Sequence, residues 1–125
     1  MGTFRDLIVY KKGFALAMEI FEIAKTFPKE EKYSLVSQII RSSRSVCSSL
    51  AEAYRKRKYV AHFVAKITDA DMENTETQSW LDFALACKYI SEEKYHDLLS
   101  KSEEVGRLLQ SMINNPGKYG VVTEP

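Results

Sequence analysis

Two cysteines, three prolines and five glycines in 125 residues are few, and each scarcity excludes something. Cys47 and Cys87 cannot build a disulfide framework or a tetrahedral zinc site. Both fall in helical patterns, so they read as small buried side chains in a reducing compartment. So little glycine and proline excludes a sandwich or barrel, which needs a turn every few residues. No run approaches the roughly 18 apolar residues of a membrane span, and residues 1–6 carry no hydrophobic signal core. These point to a cytoplasmic protein with no membrane partner. Net charge is only +1, so an electrostatic partner must be sought in a local patch.

What is present is ordinary for a folded domain. Hydrophobic residues make up 45% and charged residues 28%, which excludes the low hydrophobicity of disordered chains. The length fits one domain, and folding at this size buries about two-thirds of the unfolded surface.

Hydrophobic periodicity predicts four helices. The first covers residues 4–25, with Leu7, Phe14, Met18 and Phe21 at helical spacing and Gly13 as an interior weakness. Pro28 ends it, because the residue before a proline is pushed away from helix. The second covers residues 29–58, with Pro28 opening it and Glu30 and Glu31 at its positive end. Its seam is Leu35, Ile39, Ser43, Val46, Leu50 and Tyr54, and its many serines allow close helix approach. The third covers residues 59–89, with Val60, Phe63, Ile67, Ala70, Thr77, Leu81 and Leu85 on one face. Ser91 with Glu92 and Glu93 starts the fourth, and Tyr95, Leu98, Ser102, Val105, Leu109 and Met112 carry it to residue 114. Residues 118–125 lack periodicity and read as a flexible tail behind a bundle spanning residues 1–117. The predicted fold is all-α, an antiparallel up-down four-helix bundle.

Two helices have a second face. Opposite the seam of the second helix run Arg41, Arg44, Ser48, Glu52 and Arg55. Between residues 41 and 58, six bases (Arg41, Arg44, Arg55, Lys56, Arg57, Lys58) face one acid, Glu52. Opposite the seam of the third helix lie Met72, Glu73, Glu76, Trp80 and Phe83. Apolar groups mixed with acids on an outer face suggest an interface, although Trp80 and Phe83 could equally fill a gap between helices of one bundle. Self-association would set the basic face of one copy on the acidic, aromatic face of another. Such a heterologous contact closes into a ring when the rotation permits. Arg41 and Arg44 cannot both seal an interface and hold phosphate, so they are assigned to assembly or to ion pairs with Glu73 and Glu76. Arg55, Lys56, Arg57 and Lys58 are the candidate nucleic-acid patch, with Tyr54 and Tyr59 as stacking groups.

Catalytic patterns are weak. Glu93-Lys94-Tyr95-His96 is a lone Glu-x-x-His where a di-iron bundle needs two, and Asp69 and Asp71 point to different sides of a helix. There is no glycine-rich phosphate loop, and two histidines leave little scope for a serine triad. The expectation is a non-enzyme without metal or cofactor.

Several linked motifs carry a family resemblance: Phe27-Pro28 with Glu31, Leu35 and Gln38; residues 40–46, Ile-Arg-Ser-Ser-Arg-Ser-Val; Leu50-Ala51-Glu52; and Glu73 with Glu76-Thr77-Gln78. Over residues 4–114 the chain resembles the 23S ribosomal RNA intervening-sequence proteins, also called four-helix bundle proteins. The resemblance implies a bacterial bundle assembled as a ring, a homopentamer. It also implies kinship with the accessory protein of diversity-generating retroelements, which serves a reverse transcriptase and is thought to bind nucleic acid through basic surface. Ser49, Ala53 and Ala70-Asp71 depart from residues frequent in the family. The expected function is an oligomer binding RNA or DNA at the end of the second helix. The alternative is a scaffold or accessory subunit, for instance of a reverse transcriptase complex, with no nucleic-acid binding of its own.

Overall fold

Four α-helices make up most of the chain: α1 (Ile8–Ala24), α2 (Leu35–Arg55), α3 (Val60–Ala86) and α4 (Glu92–Asn114). Short 3-10 turns lie at Phe4–Asp6, Lys29–Glu31 and Pro116–Tyr119. The computed structural model describes residues 2–121, and among them there is no strand. Each helix packs on the next, and α1 closes against α4. The links at residues 56–59 and 87–91 are too short for anything but antiparallel neighbours.

The core forms two buried clusters along the bundle. Val46, Leu50, Phe63, Ile67, Leu109 and Met112 anchor one, and Ile20, Ile39, Leu81, Ala84 and Leu98 anchor the other. Leu35, Ile39, Ser43, Val46 and Leu50 of α2 are buried as the seam predicts. So are Leu98, Ser102, Val105, Leu109 and Met112 of α4. Ala53 and Ala70 are fully buried in one cluster, where their small side chains allow α2 and α3 to approach closely.

Polar groups near the middle of the bundle pair with one another. The hydroxyls of Ser42 and Thr77 are 2.8 Å apart. Asn74 donates to the Ser102 carbonyl at 2.9 Å and accepts from the Ser102 hydroxyl at 2.9 Å, while the Gln78 amide donates to that hydroxyl at 3.0 Å. Buried polar groups matched in this way escape the desolvation penalty of unpaired ones.

Several expectations are corrected. On α1 the core face is Val9, Gly13, Leu16, Ala17, Ile20 and Ala24, not the stripe through Phe14 and Met18, which are 52% and 42% exposed. Both stripes have helical spacing, so periodicity alone does not distinguish the inward one, and the smaller side chains face the core. Val60 is likewise exposed, and Asn74 occupies the buried position between Ala70 and Thr77.

The helix expected from residue 4 starts at Ile8, because Thr3 and Asp6 form a capping box around a separate turn and Leu7 is extended. α2 begins at Leu35, not at residue 29. There the Glu31 carboxylate accepts from the Ser34 hydroxyl at 2.6 Å and the Leu35 N–H at 3.3 Å, capping the helix from outside. α3 stops at Ala86, and Lys88 adopts a left-handed conformation beyond it.

Within the expected tail, Lys118 and Tyr119 lie in the last 3-10 turn and Val121 is buried in the core. Its residues 122–125 lie outside the described residues.

Candidate nucleic-acid interface

The break between α2 and α3 has neither glycine nor proline, so side chains make it. Arg57 turns back and its Nε donates to the Tyr54 carbonyl at 2.9 Å, satisfying an acceptor freed at the end of the helix. Its guanidinium carbon lies 3.6 Å from the centre of the Tyr54 ring. Gly120, with φ +79°, approaches the same side chain: a Cβ there would lie 3.0 Å from the Arg57 guanidinium. The left-handed backbone and the close approach both call for glycine.

The N-terminal turn approaches the same end. Its capping box holds Arg5 beside Phe4, with the guanidinium carbon 4.4 Å from the ring centre. Phe4 in turn stands edge-on to Tyr10 of α1, with ring centres 5.0 Å apart.

Together these segments surround an open recess of about 780 Å³, lined by Arg5, Arg55, Arg57 and Lys58, by the rings of Phe4 and Tyr54, and by Gly2, Thr3 and Gly120. No lining residue is acidic. Among the described residues, no carboxylate pairs with any of the four cations. Asp6, the acid nearest in sequence, is committed to the Thr3 N–H at 2.8 Å. The negative end of the α2 dipole offsets part of this positive charge.

Of the expected patch, Arg55, Arg57 and Lys58 therefore converge, whereas Lys56 is exposed outside the lining, and Tyr59 is exposed edge-on to His62. Sequence reasoning missed Arg5 and Phe4. They lie in an aperiodic stretch, far along the chain from residue 55, and only the fold joins them to the cluster.

The face opposite the α3 seam is different. Arg41 reaches across from α2 to pair with Glu73 at 3.2 Å and with Glu76. Of the two roles considered for Arg41, the structure shows the ion pairs within the chain. Burial works against the Arg41 charge, but hydrogen bonds to Glu76 and Glu73 outweigh it and raise its pKa. For Glu76, burial is outweighed by hydrogen bonds from Trp80 and Arg41, so its pKa falls. Arg44 lies over the Phe21 ring of α1, 5.2 Å from its centre.

Trp80 is half-buried, packs against the core and donates from Nε1 to Glu76 at 3.0 Å. Met72 and Phe83 stay outside, 64% and 55% exposed. With Ala65, Asp69, Glu76 and Ser79 they follow an alternating four-three spacing, the pattern of a helix seam, on a face turned to solvent.

A family model described as 23S rRNA-intervening sequence protein matches residues 5–111. Among solved structures, the chain is similar to a protein with unknown function from the S23 ribosomal protein family of Bacteroides thetaiotaomicron. The identity is 30%, over 86% of this chain and 96% of that one, with a TM-score of 0.78. No curated protein matches.

Proposed function

Because the chain belongs to the 23S rRNA-intervening sequence protein family, we propose that it is a non-catalytic bundle that self-assembles and holds RNA or DNA by its phosphates at the basic recess. The observation that carries this reading is the convergence of Arg5, Arg55, Arg57 and Lys58 on a recess with no acidic lining. Guanidinium groups held against aromatic rings lose less freedom when they grip a phosphate, and their fork matches its oxygens. The exposed Met72 and Phe83 favour self-association through the outer face of α3, in a ring of the homopentameric kind the family resemblance suggests.

Retention of a structured RNA at rising salt tests the binding. Each phosphate contact contributes a slope of about −0.7 to −0.9 in the log–log plot. Reversing Arg55 and Lys58 to glutamate should weaken retention at least about tenfold and flatten the slope, with mass and helicity unchanged. Retention unaffected by the reversal would overturn the reading. Failure to retain nucleic acid at any salt would leave the protein-scaffold role as the better account.

A further inference from the structure

We propose that the recess is a receptor for a phosphomonoester, the terminal phosphate of a single strand, and not for the backbone of a duplex. The inference rests on the nucleic-acid reading above and narrows its ligand. Three features carry it: shape, charge and the state of the aromatic rings.

The cations come from two separate chain segments and converge on a concavity of about 780 Å³. That is within the range of about 300–1,000 Å³ typical of small-molecule sites. A duplex meets protein over a broad face and presents each phosphate flanked by backbone on both sides, whereas a strand end can enter such a recess with its terminal phosphate first.

Charge favours the monoester over the diester. Near neutral pH a phosphomonoester carries about −1.5 to −2 charges, whereas a backbone diester carries one. Four cations with no acidic lining exceed what a single diester can neutralise. The three guanidiniums match phosphate oxygens by their geometry, and Lys58 adds a point charge.

Each of the two rings already carries a guanidinium of the site on one face. Arg5 lies over Phe4 and Arg57 over Tyr54, at 4.4 and 3.6 Å from the ring centres. Each ring spends a face on orienting its own guanidinium, so the site is organised around an anion. Sequence preference at this end of a strand should accordingly be slight.

Fluorescence anisotropy on the full chain tests the proposal with three probes and a competitor. The probes are a short single-stranded RNA ending in a phosphomonoester, the same strand ending in a hydroxyl, and a blunt duplex of the same sequence without terminal phosphate. The competitor is adenosine monophosphate. The phosphorylated strand should bind at least about tenfold tighter than either other probe. Lys58→Ala should remove most of that preference. Arg57→Ala should do so too, but it also releases the Tyr54 stack, so Lys58→Ala is the cleaner variant because it leaves the turn in place. Competition by adenosine monophosphate at the concentration of the strand itself would support the monoester receptor with a free nucleotide as its source. Weak competition would support a strand end. Equal binding of the phosphorylated and hydroxyl strands would overturn the proposal and leave general phosphate binding standing. Binding of none of the three probes would overturn the proposal together with the nucleic-acid reading it rests on.

Discussion

Gly13 and Gly106 show how one atom decides the sign of a substitution. A Cβ on Gly13 would lie 3.5 Å from the Cys47 sulfur and 3.7 Å from Val46, ordinary contact distances. Alanine there should therefore gain helix propensity without strain and stabilise the fold by about 0.5–1 kcal/mol in thermal or urea unfolding at fixed protein concentration. A Cβ on Gly106 would lie 3.3 Å from the Asn74 amide, which is already engaged with Ser102. Gly106→Ala should gain less than Gly13→Ala, and the order of the two midpoints checks the geometry. Asn74→Ala removes both bonds to the buried Ser102 and should cost about 1–3 kcal/mol. At this scale the sequence was only partly readable. Asn74 sits in the seam register, yet an amide in a seam reads as a defect until its partner on another helix is known. Phe14 and Met18 misled because size and spacing do not reveal which stripe faces inward.

At the scale of elements, Glu31 joins three parts of the bundle end. Its carboxylate accepts from Ser34 and Leu35 at the start of α2 and from the Tyr89 hydroxyl, beyond α3, at 2.7 Å. The bond from Ser34, then that from Tyr89, holds the Glu31 pKa below its ordinary value. Its stabilising effect is thus complete above the unfolded carboxylate pKa and is lost as pH falls through the lower folded value. Tyr89 behaves in the opposite sense: the bond to Glu31, then burial, pushes its pKa up to about 12. That contribution is complete below the unfolded value near 10 and fades as pH rises towards 12. Tyr89→Phe should flatten the alkaline limb of stability against pH, and Glu31→Gln the acid limb. Unfolding midpoints across both limbs check this, and a Tyr89→Phe curve parallel to the wild type at high pH would contradict it. Helix existence was legible because the three-four repeats of α2 and α4 are long. Helix starts were not: the α2 cap comes from Glu31, four residues before Leu35, and the sequence placed Glu31 inside the helix.

At the scale of the whole molecule, one question is whether the outer face of α3 joins copies and what that would do to the recess. The acids of this face are largely engaged within the chain: Glu73 and Glu76 with Arg41, Asp69 with Lys66, and Asp71 with Gln110. Attraction between copies would therefore rest on the exposed apolar groups Met72 and Phe83 more than on opposite charge. A mass near five times 14.3 kDa by light scattering is expected for the wild type. Met72→Glu and Phe83→Glu, placed outside the core, should reduce it towards a single chain without loss of helicity. The same variants separate assembly from binding. If each copy contributes one recess, a multiply phosphorylated RNA display should bind the assembly about 10²-fold or more tighter than the single chain, through effective concentration alone. A single short strand, which engages one recess, should bind both forms equally. A wild type found at 14.3 kDa would remove the ring and with it this avidity, while leaving the recess, built within one chain, to be tested by itself.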